Sequence, residues 1–221
     1  MTILSDLLPR LPDPAQPLFT FDDRTTGERV ELSGTTTANW VAKTSNFLVD
    51  ELDAEPGTRV RIGLPSHWLR FVWVLSCWSV GAVLVETGAD VGVSGPDLVA
   101  DEEHRVAASL RPLGARFPQP PEGFHDLGAE VPGQGDVFVP LDPVAPTAPA
   151  VDLGSLVGSH QDLLESATPV ADRILVEPRS LAEEIPLLVD VLLGGGSLVL
   201  VVGGSPDTLQ HIAVQERALR R

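Results

Sequence analysis

Cysteine, tyrosine and basic residues are scarce in this chain of 221 residues. The single cysteine, Cys77, has no second cysteine to pair with, so a disulfide scaffold is excluded and nothing indicates an oxidising compartment. Lys43 is the only lysine, so chemistry that needs a lysine has one candidate. Asp and Glu number 31 against 15 Lys and Arg, which gives a formal net charge of −16 at pH 7. Because such a chain repels phosphates and anionic lipids, we expect no nucleic acid and no membrane among its partners.

The sequence also lacks a recognisable signal peptide and a membrane span. Asp6, Arg10 and Asp13 interrupt the leucines at the start, where a signal peptide has a basic segment and then an apolar one. The apolar run 71–85 is shorter than the roughly 20 residues that a spanning helix needs, and Asp190 and three glycines interrupt the run 185–202. We therefore expect a cytoplasmic protein.

What the chain does contain is the mixture of an ordinary folded protein, with 43% hydrophobic and 21% charged residues. Its length predicts a single α/β domain over 1–221. A division into halves 1–139 and 150–221 is the alternative, since the proline-rich segment 140–149 favours extended backbone between them.

Hydrophobic spacing predicts a regular order of elements in the first part of the chain. Two short alternating runs, 18–21 and 29–32, indicate a small N-terminal hairpin. A helix over 35–52, a strand over 59–64, a helix over 67–80 and a strand over 82–85 follow. Strand, helix and strand in this order form a βαβ unit, which favours parallel strands.

The middle of the chain is less regular. Strands are predicted over 90–93 and 106–110, although 102–110 also fits a helix, and 137–139 is predicted as a strand fragment. The last third resumes the alternation, with helices over 159–166, 181–193 and 206–219 and strands over 173–176 and 197–202. The predicted fold class is α/β, with a largely parallel, doubly wound sheet and flanking helices.

Ligands of doubly wound sheets bind where strands end and helices begin, which singles out two turns as candidate sites. In the first, Gly203, Gly204 and Ser205 follow a buried strand, and backbone N–H groups there could approach an anion. The competing interpretation is a tight turn with Ser205 as helix cap, because neither G-x-G-x-x-G nor G-x-x-x-x-G-K-[ST] is present.

In the second turn, Ser66 and His67 precede the tryptophan-rich helix. Ser66 is predicted to cap that helix. A serine hydrolase using Ser66 or Ser155 is a remote alternative, because the G-x-S-x-G elbow is missing.

Other reactive residues form no recognisable constellation. The five histidines show no metal-binding spacing, so no metal site is expected. Cys77 and the four tryptophans are predicted to belong to the core, and the acidic groups 101–103 and 183–184 to be solvated.

The order of segments resembles the opening of the AMP-binding (acyl-adenylate-forming) enzymes. The matching segments are 27–33, the helix with Trp40 and Leu48, 56–65, 73–85, Gly158–Leu164 and Leu192–Val201. The resemblance implies the N-terminal subdomain of that superfamily, and the chain is similar to a family of uncharacterised bacterial proteins with distant AMP-binding similarity.

The sequence differs from the family pattern in the segments that bind ATP in those enzymes, and these differences determine which function we expect. The family's phosphate loop, T-S-G-T-T-G-x-P-K, belongs where this sequence has Thr147 to Ser155, without the lysine or the Ser/Thr/Gly cluster. The chain also reaches Arg221 before the family's adenine-binding segment and C-terminal domain. We therefore expect a catalytically inactive interaction or regulatory module, without a required cofactor and with a protein partner or self-association. Binding of AMP, ATP, CoA or an acyl group at the two turns is the alternative.

Overall fold

Strands from both ends of the sequence meet in one sheet. The computed structural model describes residues 2–221 and contains two sheets. The strands are β1 (Pro17–Asp23), β2 (Arg29–Ser33), β3 (Arg59–Ile62), β4 (Val83–Val85), β5 (Val91–Ser94), β6 (His104–Ala107), β7 (His125–Asp126), β8 (Pro149–Asp152), β9 (Val157–Ser159), β10 (Arg173–Val176), β11 (Ser197–Val202) and β12 (Leu219–Arg220). The first sheet has the order β12-β10-β11-β1-β2 and the second β7-β6-β5-β3-β4-β8-β9.

Parallel pairing dominates both sheets. In the first, β1 pairs in parallel with β11 and antiparallel with β2, so the N-terminal hairpin extends a sheet built from the last third of the chain. In the second, the hairpin of β8 and β9 is the antiparallel pair. The predicted α/β class with mainly parallel strands is confirmed, and each sheet takes strands from both sides of 140–149.

In the described residues 2–221, six α-helices flank the sheets. They are α1 (Gly34–Leu52), α2 (Trp68–Val80), α3 (Leu127–Glu130), α4 (His160–Ser166), α5 (Leu181–Gly194) and α6 (Pro206–Glu216), and short 3-10 helices occur at Leu4–Asp6, Leu8–Arg10, Pro112–Gly114 and Val131–Gly133. Among the described residues, no helix combines the length and the apolar character that crossing a membrane requires.

The helix α2 forms the centre of the core. Trp68, Trp73 and Trp78 are at most 1% exposed, because α2 packs against α1 and against strands of both sheets. The helix ends at Gly81, which adopts φ 88, a left-handed conformation that glycine allows without steric cost. The predicted helices 35–52 and 67–80 and the predicted βαβ unit are confirmed.

Several local predictions need correction. Of the two alternatives for the segment after 101, the strand is confirmed and the helix over 102–110 is wrong, since His104–Ala107 is the strand β6, two residues earlier than predicted at its start. No strand forms at 137–139, because the segment lies on α1, where Asn46 Nδ2 donates to the main-chain oxygen of Val137 at 3.0 Å. The last helix ends at Glu216 and not at 219, because Arg217 takes a left-handed conformation and the following residues join the first sheet as β12.

Candidate functional site

Ser66 and His67, at the end of the turn after β3, are buried, and Ser66 lies against the residues that follow β10 in the other sheet. Ser66, 7% exposed, donates a hydrogen bond from Oγ to Glu184 Oε1 at 2.6 Å and accepts one from Arg70 Nη1 at 3.2 Å. It also accepts from the main-chain N–H of Arg179, which follows β10 in the first sheet. Ser66 is therefore not the predicted cap of α2, because its hydroxyl joins two distant parts of the chain.

An ion pair fills the space beside this serine. Arg70 Nη1 lies 2.8 Å from Glu184 Oε2, and the two residues are 8% and 2% exposed. The guanidinium also donates to the main-chain oxygens of Leu64 and Arg179, at 3.0 Å in each case, so the buried charges have hydrogen-bond partners. This cluster of Ser66, Arg70 and Glu184, which we call the inter-sheet cluster, connects α2 to the first turn of α5.

His67 caps α2 in place of Ser66. Its Nδ1 accepts from the main-chain N–H of Leu69 at 3.2 Å, which leaves the proton of the neutral ring on Nε2. The ring packs edge-on against Phe21 of β1, with centroids 4.5 Å apart, and Nε2 is buried with no hydrogen-bond partner among residues 2–221. Burial lowers the pKa of His67 to about 4, although the charge of Asp23 opposes that shift. His67 is therefore uncharged at neutral pH.

Ser66 and His67 do not form a nucleophile and base. In the part of the chain that the structure describes, the hydroxyl of Ser66 is bonded to Glu184 and Arg70, and no bond joins it to His67. A serine nucleophile needs a base within hydrogen-bond reach, so this arrangement does not favour a hydrolase.

The turn after β11 differs from the turn after β3 in being exposed. Gly203 and Gly204 adopt φ 72 and φ 108, and Ser205 accepts from the main-chain N–H of Thr208 as the cap of α6. A Cβ at Gly203 would lie 2.9 Å from Cγ2 of Thr25, so glycine is needed there for close packing against the turn of the hairpin. Both candidate turns lie near the carboxyl ends of β1 and β11, where His67 contacts Phe21 and Gly203 contacts Thr25.

The place that corresponds to the phosphate loop is a tight hairpin. The strands β8 and β9 are joined by the four residues 153–156, within which Leu153 N–H donates to Leu156 O at 2.9 Å and Ser155 N–H to Leu153 O at 2.6 Å. The carboxylate of Glu86 lies beside Gly154. Amides that are already bonded, next to a negative charge, make a poor cradle for phosphate.

The remaining reactive residues are bonded to other parts of the chain or buried. Lys43 donates to the main-chain oxygens of Pro132 and Gln134 and pairs with Asp136. Burial raises the pKa of the Cys77 thiol and lowers the pKa of His160 to about 4. Among residues 2–221, no group of three or more His, Cys, Asp or Glu is placed to hold a metal ion.

Two acidic residues were predicted wrongly as solvated. Glu184 belongs to the inter-sheet cluster, and the side chain of Glu102, 7% exposed, pairs with Arg61. One signal in the sequence was available, because Arg70 is the charged residue of a helix that is otherwise free of charge, and a buried arginine needs a carboxylate partner.

Comparison with known proteins gives one similar sequence and several similar folds. A TIGR03089 family protein of Mycobacterium tuberculosis (strain ATCC 25618 / H37Rv) is 34% identical over 226 residues, which cover 94% of this chain and 92% of that protein. No protein-family model matches the chain.

The similar folds are those of acyl-CoA synthetases. The N-terminal domain of FACL13 from Mycobacterium tuberculosis matches with a TM-score of 0.74 at 12% identity, over 99% of this chain and 62% of that one. An acyl-CoA synthetase of Brucella canis gives 0.77 at 14% identity, over 98% and 46%. The acetoacetyl-CoA synthetase of Streptomyces lividans gives 0.75 at 19% identity, over 98% and 41%. This chain thus spans about half the length of these structures, and its predicted similarity in fold to the N-terminal part of such enzymes is confirmed.

Proposed function

The chain belongs to the TIGR03089 protein family, and from that premise we propose that it is a catalytically inactive protein that uses an acyl-CoA synthetase-like fold for protein interaction or regulation. The observation that carries the proposal is the inter-sheet cluster. Ser66, Arg70 and Glu184 occupy the junction of the strand-end turns with side chains of the protein itself, and the charge of Arg70 is already paired with Glu184, so it is not available to a phosphate or carboxylate. The closed loop 153–156 beside Glu86 supports the same conclusion.

The direct test is an assay for adenylation. The purified protein is incubated with ATP and a panel of short, medium and aromatic carboxylic acids, and pyrophosphate release is measured beside an active acyl-CoA synthetase. We expect no release above the protein-free rate. Release that disappears in a folded Ser66→Ala or Ser155→Ala variant would contradict the proposal.

An interaction role is supported by an exposed apolar segment. Val137, Val139 and Leu141 are 76%, 73% and 90% exposed, and Asn46 holds the start of this segment on α1. Asp136 and Asp142 flank it, so the partner that we propose is a different protein with a basic, partly apolar surface. Two copies of a chain with net charge −16 would repel one another.

Light scattering at low and high salt separates these two kinds of partner. We expect a monomer in both conditions. A dimer that the Val139→Asp variant dissociates would show instead that the segment 137–141 binds a second copy.

A ligand at the candidate turns is the second candidate function, favoured by the unpartnered Nε2 of His67. Its site would include Ser66, His67, Gly203, Gly204 and Ser205. Thermal unfolding with ATP, AMP, CoA or acetyl-CoA tests it, because a ligand at 100 times its dissociation constant adds about 2.7 kcal/mol of stability. We expect no shift. A shift that is lost in His67→Phe, which keeps an aromatic ring without Nε2, would favour the binding function.

A further inference from the structure

A cavity of about 460 Å³ opens between the N-terminal 3-10 helices, α1, α2 and the segment 138–144. None of the residues of the two candidate turns lines it. Most of the lining side chains are apolar, among them Leu8, Val41, Leu75 and Phe138. Sites for small molecules have volumes of about 300–1,000 Å³ and similar linings, so the cavity is large enough for a ligand.

Small side chains on facing helices create this space. Ala38, Ala42 and Ser45 follow one another along one face of α1, and Ser79 lies opposite them on α2. A ligand in the cavity would gain the dispersion contacts that these short side chains leave unmade.

A buried hydroxyl contributes to the cavity wall. Ser45 is 0% exposed, and its Oγ has no hydrogen-bond partner among residues 2–221. A buried hydroxyl without a partner is unfavourable, and a ligand oxygen that reaches it after a rotation of the Ser45 side chain towards the cavity would remove that cost. Ser79 differs, because its Oγ already donates to Leu75 O at 2.8 Å.

The charge of the lining restricts the ligand. Among the described residues that line the cavity, Asp6 alone is charged. Its carboxylate accepts from the main-chain N–H of Ile3 at 2.9 Å and lies 3.6 Å from Arg10. A carboxylate or phosphate in the cavity would meet no positive side chain in the lining, so an anionic ligand is disfavoured.

We propose that this cavity binds one uncharged, mainly apolar molecule whose single hydroxyl or carbonyl group forms a hydrogen bond with Ser45. The proposal goes beyond the proposed interaction function: the cavity is lined by Phe138 and Pro140 of the segment 137–141, but not by Val137, Val139 or Leu141, whose exposed side chains carry the proposed protein interaction.

Titration with 1-octanol and octanoate at pH 7, followed by calorimetry and by thermal unfolding, tests the class of ligand. We expect saturable binding of one 1-octanol per chain and at least tenfold weaker binding of octanoate. Absence of saturable 1-octanol binding would overturn the proposal, as would octanoate binding with equal affinity.

Three variants locate the site. Ala38→Phe places a large side chain in the cavity from an exposed position, and we expect it to weaken 1-octanol binding at least tenfold. Ser45→Ala is expected to weaken it about fivefold, the usual value of one hydrogen bond. The control is Ser94→Ala, because that buried serine bonds to Gly95 O and lies outside the cavity lining, so its affinity should equal that of the wild type.

An unchanged affinity in Ala38→Phe would overturn the location, and an unchanged affinity in Ser45→Ala would overturn the hydrogen bond. Should either variant not fold, nuclear Overhauser contacts between 1-octanol and the methyl groups of Leu75 and Val144 decide the location in the wild-type protein. Contacts confined to other methyl groups would reject it.

Discussion

The turns after β3 and β11 are both strand-to-helix connections, yet they differ in what surrounds them. Ser66 and His67 are buried, and Ser66 is bonded to side chains from another part of the chain, whereas Gly203, Gly204 and Ser205 are exposed and bonded within their own helix start or packed on a neighbouring turn. Both turns have small and polar residues between a strand and a helix. In the turn after β3 these residues bind distant parts of the chain, whereas in the turn after β11 they form the local turn and the helix cap. Substitutions should therefore act on the whole fold at the first turn and locally at the second.

The largest effect should come from Glu184→Ala. Removing this carboxylate leaves the charge of Arg70 buried without its partner, and we expect a loss of about 3–5 kcal/mol in the free energy of unfolding. Glu183→Ala, which removes an exposed capping side chain from the neighbouring position, should cost much less. Urea denaturation measures both.

A double variant checks the reason for that loss. Arg70→Met with Glu184→Leu replaces the charges by apolar groups of similar size and should recover most of the stability lost in Glu184→Ala. If Glu184→Ala and Glu183→Ala lose the same free energy of unfolding, the inter-sheet cluster stabilises the fold no more than an ordinary helix cap does, and the prediction is wrong.

Lowering the pH should reduce the stability that the turn after β3 contributes, and should not affect the turn after β11. The pKa of His67 is about 4 in the folded protein against an ordinary value of 6.5, so its contribution to stability is complete above pH 6.5 and is lost as the pH falls towards 4, where the unfolded chain binds the proton more readily. His67→Asn keeps a cap acceptor and does not titrate. Between pH 6.5 and 4.5 it should lose about 2 kcal/mol less than the wild type.

Urea denaturation across this pH range provides the measurement. The exposed His211→Asn is the control and should follow the wild-type curve. A His67→Asn curve parallel to that of the wild type would mean that the ring of His67 is protonated as easily in the folded protein as in the unfolded chain.

At the exposed turn, Gly203→Ala should have a smaller effect. Alanine is strained at φ 72, and its Cβ would approach Thr25 Cγ2, so we expect a loss of about 1–2 kcal/mol in the free energy of unfolding. Gly133→Ala is the matched control, because a Cβ there meets nothing within 4 Å. Thermal unfolding compares the two, and similar values would show that the turn after β11 does not depend on glycine.

The smallest effect is expected for Ser205→Ala. It removes the acceptor for the Thr208 N–H and should cost about 1 kcal/mol, while Ser205→Asp should retain the cap. Hydrogen exchange of the first turn of α6 should increase in Ser205→Ala only. Faster exchange throughout the first sheet would contradict the local role of this turn.

Helices and strands that are marked by the spacing of their own hydrophobic residues could be predicted from the sequence. The bounds 173–176 and 197–202 agree with β10 and β11 because continuous apolar runs lie between polar or glycine residues. Residues whose surroundings come from distant parts of the chain could not be predicted. Glu184 meets Arg70 across 114 positions, and Val137 is held by Asn46 across 91, so local patterns indicate neither.

At the candidate site, too, the local features could be predicted and the long-range contacts could not. Ser205 and the glycines before it behave as the local interpretation predicts, whereas His67 and not Ser66 caps α2. Both residues can cap a helix, and the choice depends on Glu184 drawing the hydroxyl of Ser66 away. The hairpin of β8 and β9 was missed because each strand is short and the first begins at a proline.

The pairing of β1 with β11 has a consequence for the order in which the chain folds during synthesis. Phe19 pairs with Leu198, so β1 must wait for about 180 further residues to leave the ribosome before its parallel neighbour exists. Until then the N-terminal hairpin has an unpaired edge of apolar residues, and closing so long a loop is slow. The second sheet, whose strands β3, β4, β5 and β6 lie close together in the sequence, can form earlier. We therefore expect the first strand of the nascent chain to keep one unpaired edge until the last third of the chain has been made.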